Sequence, residues 1–427
     1  MFRFLHAADI HLDSPLRGLE RYEDAPVEAV RSAPRAAFEN LVELAIELDV
    51  AFVLLAGDLY DGDWKDYNTG IFFVGQMRRL GAAGIPVHLV SGNHDAVSQI
   101  TRELSLPVNV THYSHKKPET TIVAEYDVAI HGQSFKGRSV SQDLSAGYPE
   151  AQSGRFEIGL LHTSLDGRPG HADYAPCSVA GLRSKGYGYW ALGHVHQREE
   201  VSQDPWIVYP GNLQGRHARE TGSKGCSVVT VDGGHVAAVE HHALDVVRWA
   251  RIEVDLSDTS SAEEALDVAV TAFEAALEAA DHRLLAARVV LVGATAAHDE
   301  LASGRDRWEH ELRIAASALG EPGVWLEKIE FATRRVRDLE SELERTDALG
   351  DLLRWVAGLD EAPLELANLG ETFSDLKKKL PAPLRTGEEG LDPTDPEVLR
   401  KKLPAVRDLL LSRLLDAGAD SESGDQT

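Results

Sequence analysis

The stretch Ile85–Pro86–Val87–His88–Leu89–Val90–Ser91–Gly92–Asn93–His94–Asp95 decides the fold. Its first half is a short apolar run bounded by turn residues, which reads as a buried strand. Its second half is a polar cluster at that strand's carboxyl end. Four other places repeat the arrangement. Asp9–Ile10–His11 follows an apolar run at the start of the chain. Gly57–Asp58–Leu59–Tyr60–Asp61 follows Phe52–Val53–Leu54–Leu55–Ala56. His162 follows Phe156–Leu161, and Gly193–His194–Val195–His196 follows Tyr189–Trp190–Ala191–Leu192. Between the early strands, Arg35–Asp49 carries Phe38, Leu41, Leu44, Ala45 and Leu48 at helical spacing. Strand–helix–strand alternation predicts an α/β layered domain over residues 1–245. Asp232–Gly233–Gly234 predicts a hairpin between its last two strands.

In α/β sheets, side chains from distant parts of the sequence converge at the carboxyl ends of strands. Residues i and i+2 point to one side, so Asp9 with His11, and His194 with His196, each form a local pair. Mixed His and carboxylate donors without thiolate suit Mn, Fe or Zn, rather than a Ca site made only of oxygen. One carboxylate can bridge two ions about 3.5–4 Å apart, and such a pair clamps a phosphate, activates water and stabilises the leaving oxygen. Taken singly, each cluster has an ordinary explanation. Gly-Asn-His-Asp can be a capped turn, and His162 a hydrogen-bonded core histidine. Five in order, each at a strand end, predict a two-metal phosphoesterase.

Composition sets bounds. The 427 residues are 43% hydrophobic and 26% charged, enough for a sizeable core and for two or three domains. No apolar run reaches the roughly 20 residues needed to span a bilayer, and the first residues lack the pattern of a signal peptide. Two cysteines, Cys177 and Cys226, make neither a disulfide framework nor a thiolate zinc site. These features predict a cytoplasmic protein without membrane association. The net charge is −26, of which residues 1–250 hold −9 (22 Lys and Arg against 31 Asp and Glu). An acidic chain repels polyanions at long range, so composition alone speaks against a nucleic-acid substrate.

Beyond residue 245 the pattern changes. Residues 246–333 read strand, helix, strand, helix, strand (Trp249–Val254, Ala262–Ala280, Ala287–Val292, Asp299–Leu319, Val324–Phe331), predicting a small three-stranded α+β domain. Residues 334–416 read as a charged helical region, with a linker at 381–396 rich in proline. Asp395–Pro396 predicts a capped helix start. Leu399, Leu403, Val406, Leu410 and Leu414 form an apolar stripe, and 417–427 read as a disordered tail.

These motifs resemble the calcineurin-like metallophosphoesterase superfamily, which implies a layered metallophosphoesterase β-sandwich flanked by helices. Within it the chain resembles the SbcD-type DNA repair exonucleases, relatives of the double-strand-break repair nuclease of meiotic recombination. The finer resemblance rests on Phe4–Leu12, on Tyr209–Pro210–Gly211–Asn212, on Lys224–Gly225, and on the α+β unit, which looks like that family's capping domain. At Asp13–Ser14–Pro15 the chain departs from better-known members, which have a glycine there.

The resemblance implies that Asp9, His11 and His196 hold one metal, that Asn93, His162 and His194 hold the other, and that Asp58 bridges them. It implies that His94 is a general acid or steadies the phosphate, with Asp61 and Asp95 orienting neighbouring histidines. It also implies manganese, exonuclease and endonuclease action on DNA phosphodiester bonds, an SMC-type coiled-coil ATPase partner, and dimers in the family; the 399–414 stripe either docks on a partner's coiled coil or packs back on its own domain. Arg17, Lys65, Lys116, Lys117, Lys136, Arg138, Arg168, Arg216 and Arg219 lie in loop-like stretches and are candidates for DNA phosphate contacts. A metallophosphatase or small-molecule phosphodiesterase would use the same residues, and a non-catalytic metal-binding scaffold is the alternative of a different class.

Overall fold

A computed structural model of the chain describes residues 1–14, 25–61, 67–97, 105–165, 175–336, 343–380, 392–403 and 406. Strands β1 (Phe2–Ala7), β2 (Val53–Leu55), β3 (Val87–Leu89) and β4 (Val110–His112) lie side by side and parallel. Two further strands, β11 (Gly225–Asp232) and β12 (His235–Ala243), extend this sheet antiparallel beyond β1, giving six strands in the order β12–β11–β1–β2–β3–β4. The turn joining them is the expected hairpin, with Gly233 at φ 56° and Gly234 at φ 81°. A second six-stranded sheet is built from β5 (Glu119–Val123), β6 (Val128–Gly132), β7 (Phe156–His162), β8 (Tyr189–Gly193), β9 (Glu199–Gln203) and β10 (Trp206–Tyr209). Its order is β5–β6–β7–β8–β10–β9, parallel inside and antiparallel at both edges.

The central strands are largely apolar because both of their faces are covered. Phe4, Leu54, Ile130, Ile158, Leu160 and Ala191 meet in the layer between the two sheets. Leu5, Val53, Leu55 and Leu89 turn the other way, against Phe38 and Leu41 of α1 (Val27–Glu47) and Phe73 and Met77 of α2 (Tyr67–Ala82). On the far side Leu161, Trp190, Leu192 and Ile207 meet Leu182 of α3 (Val179–Ser184), with Tyr148 and Tyr187. The result is a helix–sheet–sheet–helix layering, the sandwich flanked by helices that the sequence predicts.

The described chain divides into two compact units. The first holds the sandwich together with β13 (Val247–Asp255), β14 (Leu284–Val292) and β16 (Val324–Phe331), which form a three-stranded sheet in that order, and with α4 (Ala262–Ala279) and α6 (Arg305–Ser317). Trp249 and Trp325 of this sheet join Val30 and Ala33 of α1 in a shared core, so the small sheet is anchored on the sandwich's helical layer. The sequence reading of one helix over 299–319 is corrected. Gly304 divides it into α5 (His298–Ser303) and α6, because Gly304 stands outside helical geometry as the residue that starts α6.

The second unit comprises Asp255–Ala262, Val292–Ser303 and the described residues from Ala332 onward. In it β15 (Ala294–Thr295) pairs parallel with β17 (Arg334–Arg335), supported by an Arg335–Asp299 ion pair of 2.7 Å. Three helices follow: α7 (Ala348–Gly358), capped by the Asp347 side chain, α8 (Pro363–Thr372) and α9 (Ser374–Lys379). Residues 396–403 are helical, and Asp395 accepts the Glu397 N–H at 2.9 Å as the predicted cap. Leu399 lies beside Gly370 of α8. Leu410, Leu414, residues 381–391 of the linker and the 417–427 tail lie outside the described residues. No helix among the described residues is long and apolar enough to cross a membrane.

Leu160 is fully buried between the sheets, so Leu160→Ala removes contacts that nothing else can replace. Urea denaturation should show a loss of about 2–5 kcal/mol, whereas Leu376→Ala, at an exposed site, should stay within about 0.5 kcal/mol.

Candidate metal centre

Topology brings the five motifs together. Strands β1, β2 and β3 are parallel neighbours in one sheet, and β7 and β8 are parallel neighbours in the other. Their carboxyl ends therefore open on one side of the sandwich. The segments after β1 and β2 stay hydrogen-bonded to each other past the strand ends, through Asp9 N–H to Gly57 O at 3.0 Å and His11 N–H to Asp58 O at 3.0 Å. Asp9, His11, Asp58 and His194 all adopt left-handed backbone, at φ 51°, 47°, 51° and 107°. For residues with a Cβ that conformation costs roughly 1–2 kcal/mol each. Its concentration in four predicted ligands marks a place where side-chain direction outweighs backbone comfort.

The motif glycines are spacers. A Cβ on Gly92 would lie 2.3 Å from Asp58 Oδ1 and 2.8 Å from His162 Cε1, and one on Gly193 would lie 2.0 Å from the Ala56 carbonyl oxygen. The predicted ligands close in on one another only because those positions lack side chains.

The histidine contacts fix which nitrogens face the centre. His162 Nδ1 donates to Ala56 O at 2.9 Å. Its Nε2 is then a bare lone pair, yet it faces Asn93 Oδ1 at 3.1 Å and Asp58 Oδ2 at 3.4 Å, both acceptors. Burial pushes the His162 imidazole down to about 3, so protonation does not relieve the opposition. His196 Nδ1 donates to Glu220 Oε1 at 2.7 Å, and its Nε2 hydrogen-bonds with His11 Nε2 at 3.2 Å and lies 3.9 Å from Asp9 Oδ1. His194 stands against His162, ring centres 5.2 Å apart. Asp9 and Asp58 are buried together, and burial, then their mutual repulsion in the case of Asp9, raises both carboxyls. The His162 lone pair facing acceptor oxygens, among buried carboxylates, is what a cation would reconcile. Ligand atoms of Asp9, His11 and His196 lie within 4.8 Å of one another, as do those of Asp9, Asp58 and His162. The donor set therefore fits divalent metal ions, which these residues would hold.

A third cluster, His11, Asp61 and His94, is also compact, but there His94 Nδ1 and Asp61 Oδ1 satisfy each other at 2.8 Å. His94 is one-third exposed, unlike the buried His11 and His162. The Asp61 hydrogen bond raises its pKa against the opposing effect of burial. Burial works to raise Asp61 itself, but hydrogen bonds from His94 and Ser14 prevail and hold it at about 2. Asp61 thus lies against His94, whereas the Asp95 carboxylate accepts the backbone N–H of Tyr60 at 2.9 Å and of Gly92 at 3.1 Å. It stitches the loop bearing Asp58 to the loop bearing Asn93.

Several groups around the centre are not legible as site residues in the motifs. Glu220 holds His196, and Asn212 Nδ2 donates to Glu220 Oε2 at 3.0 Å. Lys224 Nζ donates to His196 O at 3.0 Å, and Tyr209 hydroxyl donates to Thr163 O at 2.8 Å. The Tyr209–Asn212 and Lys224–Gly225 signals are thus supports of the His162 and His196 loops. Arg216, a candidate DNA contact by sequence, is instead mostly buried between Asp61 and Glu220. Lys116, Lys117, Lys136, Arg138 and Arg219 are exposed, while Arg17, Lys65 and Arg168 lie outside the described residues.

Binding of Mn2+ to the folded chain should raise stability by about 2.7 kcal/mol at a hundredfold excess over its Kd, read as a thermal shift reversed by EDTA. Gly92→Ala should weaken Mn2+ binding at least tenfold while the metal-free chain stays folded. An unchanged shift in that variant would show that Gly92 does not govern the ligand spacing.

Comparison with known proteins agrees with this geometry. Residues 2–198 match the calcineurin-like phosphoesterase family, and residues 249–334 match the middle domain of the metallophosphoesterase YhaO. The chain is 34% identical over 262 residues to the uncharacterized metallophosphoesterase YhaO of Bacillus subtilis, covering 60% of this chain and 64% of that one. It is 26% identical over 278 residues to the DNA double-strand break repair protein Mre11 of Methanopyrus kandleri, covering 58% of each chain. With the Haloferax volcanii protein of the same name it shares 26% identity over 263 residues, covering 60% of this chain and 55% of that one. The chain thus spans less than two-thirds of the length of each of these relatives. Motifs, layering and family match agree that residues 2–198 are similar to the calcineurin-like phosphoesterases.

Proposed function

We propose that the chain is a two-metal phosphodiesterase that hydrolyses DNA at ends, a nuclease subunit of the double-strand-break repair type. The observation that carries the two-metal part is the opposition of the His162 nitrogen to Asn93 and Asp58 oxygens, beside the close approach of ligand atoms of Asp9, His11 and His196. In this reading Asp9, His11 and His196 hold one ion, Asn93, His162 and His194 the other, and Asp58 bridges them. Manganese suits such mixed nitrogen and oxygen donors. When bound, the ions supply Lewis-acid activation of water and neutralise charge on the phosphoryl group.

The chain's own contribution is orientation and one proton. Glu220 and the Ala56 carbonyl fix the His196 and His162 tautomers. With Nδ1 facing Asp61, His94 in its protonated imidazolium form carries a second proton at Nε2 for the leaving oxygen, and its raised pKa favours that form near neutrality. The choice of DNA is supported by similarity to the two Mre11 relatives. A coiled-coil ATPase partner belongs to the same reading. The net charge of −26 favours a second substrate class, a small phosphoester or phosphodiester, hydrolysed by the same residues.

End-labelled duplex DNA and bis-nitrophenyl phosphate offered to one Mn2+-loaded preparation separate the two. Mn2+-dependent shortening from the ends, with about two metals per chain, supports the nuclease; fast ester turnover with every DNA left intact sinks it. His94→Gln should keep its metals and lose about 10²–10⁴-fold in kcat.

A further inference from the structure

Arg216 has no part in the reading above, yet it is the charged group that joins the two outer carboxylates of the centre. Its Nη1 lies 3.5 Å from Asp61 Oδ2 and its Nη2 lies 3.2 Å from Glu220 Oε1. Its backbone N–H donates to Glu220 Oε2 at 2.8 Å. Each carboxylate in turn holds one histidine: Asp61 holds His94 at 2.8 Å, and Glu220 holds His196 at 2.7 Å. Ser14, at the place where the sequence departs from better-known relatives, donates to Asp61 Oδ2 at 2.7 Å. The side chain is 14% exposed, and two carboxylates already occupy its terminal nitrogens. That leaves little reason to read it as a surface contact for DNA.

We propose that Arg216 is a positioning residue: through Asp61 and Glu220 it holds the His94 proton donor and the His196 ring in one fixed geometry. A planar guanidinium can address two carboxylates at once from its two ends. A lysine ammonium is a single point charge and cannot span them. Without the link each carboxylate could follow its own histidine, and the distance between the proton donor and the metal-facing nitrogens would no longer be set. Glu220 would suffer most, because Arg216 meets it twice, through its guanidinium and its backbone N–H, while Glu220 holds His196. The inference rests on the two-metal reading.

The test measures Mn2+ binding by calorimetry, and kcat and KM on bis-nitrophenyl phosphate, for the full chain and for Arg216→Lys. The variant should fold like the parent by circular dichroism. Its Mn2+ affinity should fall by about 10–100-fold, as for loss of other groups that orient metal ligands. Its kcat should fall by a similar factor while KM stays within about twofold, since substrate binding is not its role. Tens of millimolar guanidinium should restore part of kcat to Arg216→Ala. A raised KM with kcat and Mn2+ affinity intact would overturn the proposal and make Arg216 a substrate contact. Parent-like values throughout would overturn it outright. If neither Arg216 variant folds, Glu220→Gln decides by the same Mn2+ isotherm, with parental affinity counting against the link. A parent chain that binds no Mn2+ would defeat the two-metal reading itself, which distinguishes that failure from this one.

Discussion

One hydrogen bond carries the architecture of the centre: His162 Nδ1 to the Ala56 carbonyl, 2.9 Å. His162 ends β7 in one sheet, and Ala56 follows β2 in the other. The bond therefore does two things at once. It ties the sheets where both open toward the site, and it commits the His162 proton to the side away from the centre. Every other feature accommodates it. Gly193 leaves room for the Ala56 oxygen, and Gly57 and Gly92 leave room for the imidazole. His6 repeats the device one strand away, from β1 to the Leu192 carbonyl and the Tyr189 hydroxyl of β8. Polar cross-links of this kind within an otherwise apolar sandwich hold the two sheets in one register.

The same constraint explains why strain collects here. Left-handed backbone at Asp9, His11, Asp58 and His194 would be unfavourable in isolation, but Asp95 and the paired loop amides hold those turns from behind. The buried core supplies the surplus. Phe4, Leu54, Leu160 and Ala191 sit directly beneath the strand ends and are fully buried. Stability in the strands and strain in the loops are two sides of one arrangement.

How much of this was legible follows from where the information lies. The ligand candidates could be read because each is a polar cluster breaking an apolar run, a local pattern that one strand end imposes. The layering could be read because buried parallel strands leave runs without alternation. Glu220 and Arg216 could not be read, since they lie in an irregular segment and gain meaning only when Asp61 and His196 arrive from elsewhere in the chain. Ser14 looked like a mere departure until Asp61 was placed beside it. The edge strand Glu119–Val123 is polar and half-exposed, so hydropathy passes over it. The resemblance implies that Asp95 orients a neighbouring histidine; in space its carboxylate turns to the backbone of two loops from a short 3₁₀ turn at 95–97.

Charge is the place where composition and geometry must be weighed against each other. The count of 69 acidic residues includes Asp9, Asp58, Asp61, Asp95 and Glu220, which are buried or half-buried at one point. Arg216 offsets part of that cluster, and two divalent ions would bring about four positive charges more. Net charge governs approach over distances near the Debye length, about 8–10 Å, whereas the sign at the strand ends governs whether one phosphate group stays. A chain that is acidic at long range and neutralised at its metal-loaded centre would disfavour long polyanions on approach without disfavouring a phosphodiester once in place. For a DNA-directed role, that division leaves the capture of duplex to basic surface elsewhere in an assembly and reserves this domain for the chemistry. For a small phosphoester, no such division of labour is required, so the two substrate classes differ in what they demand of the surface rather than of the site.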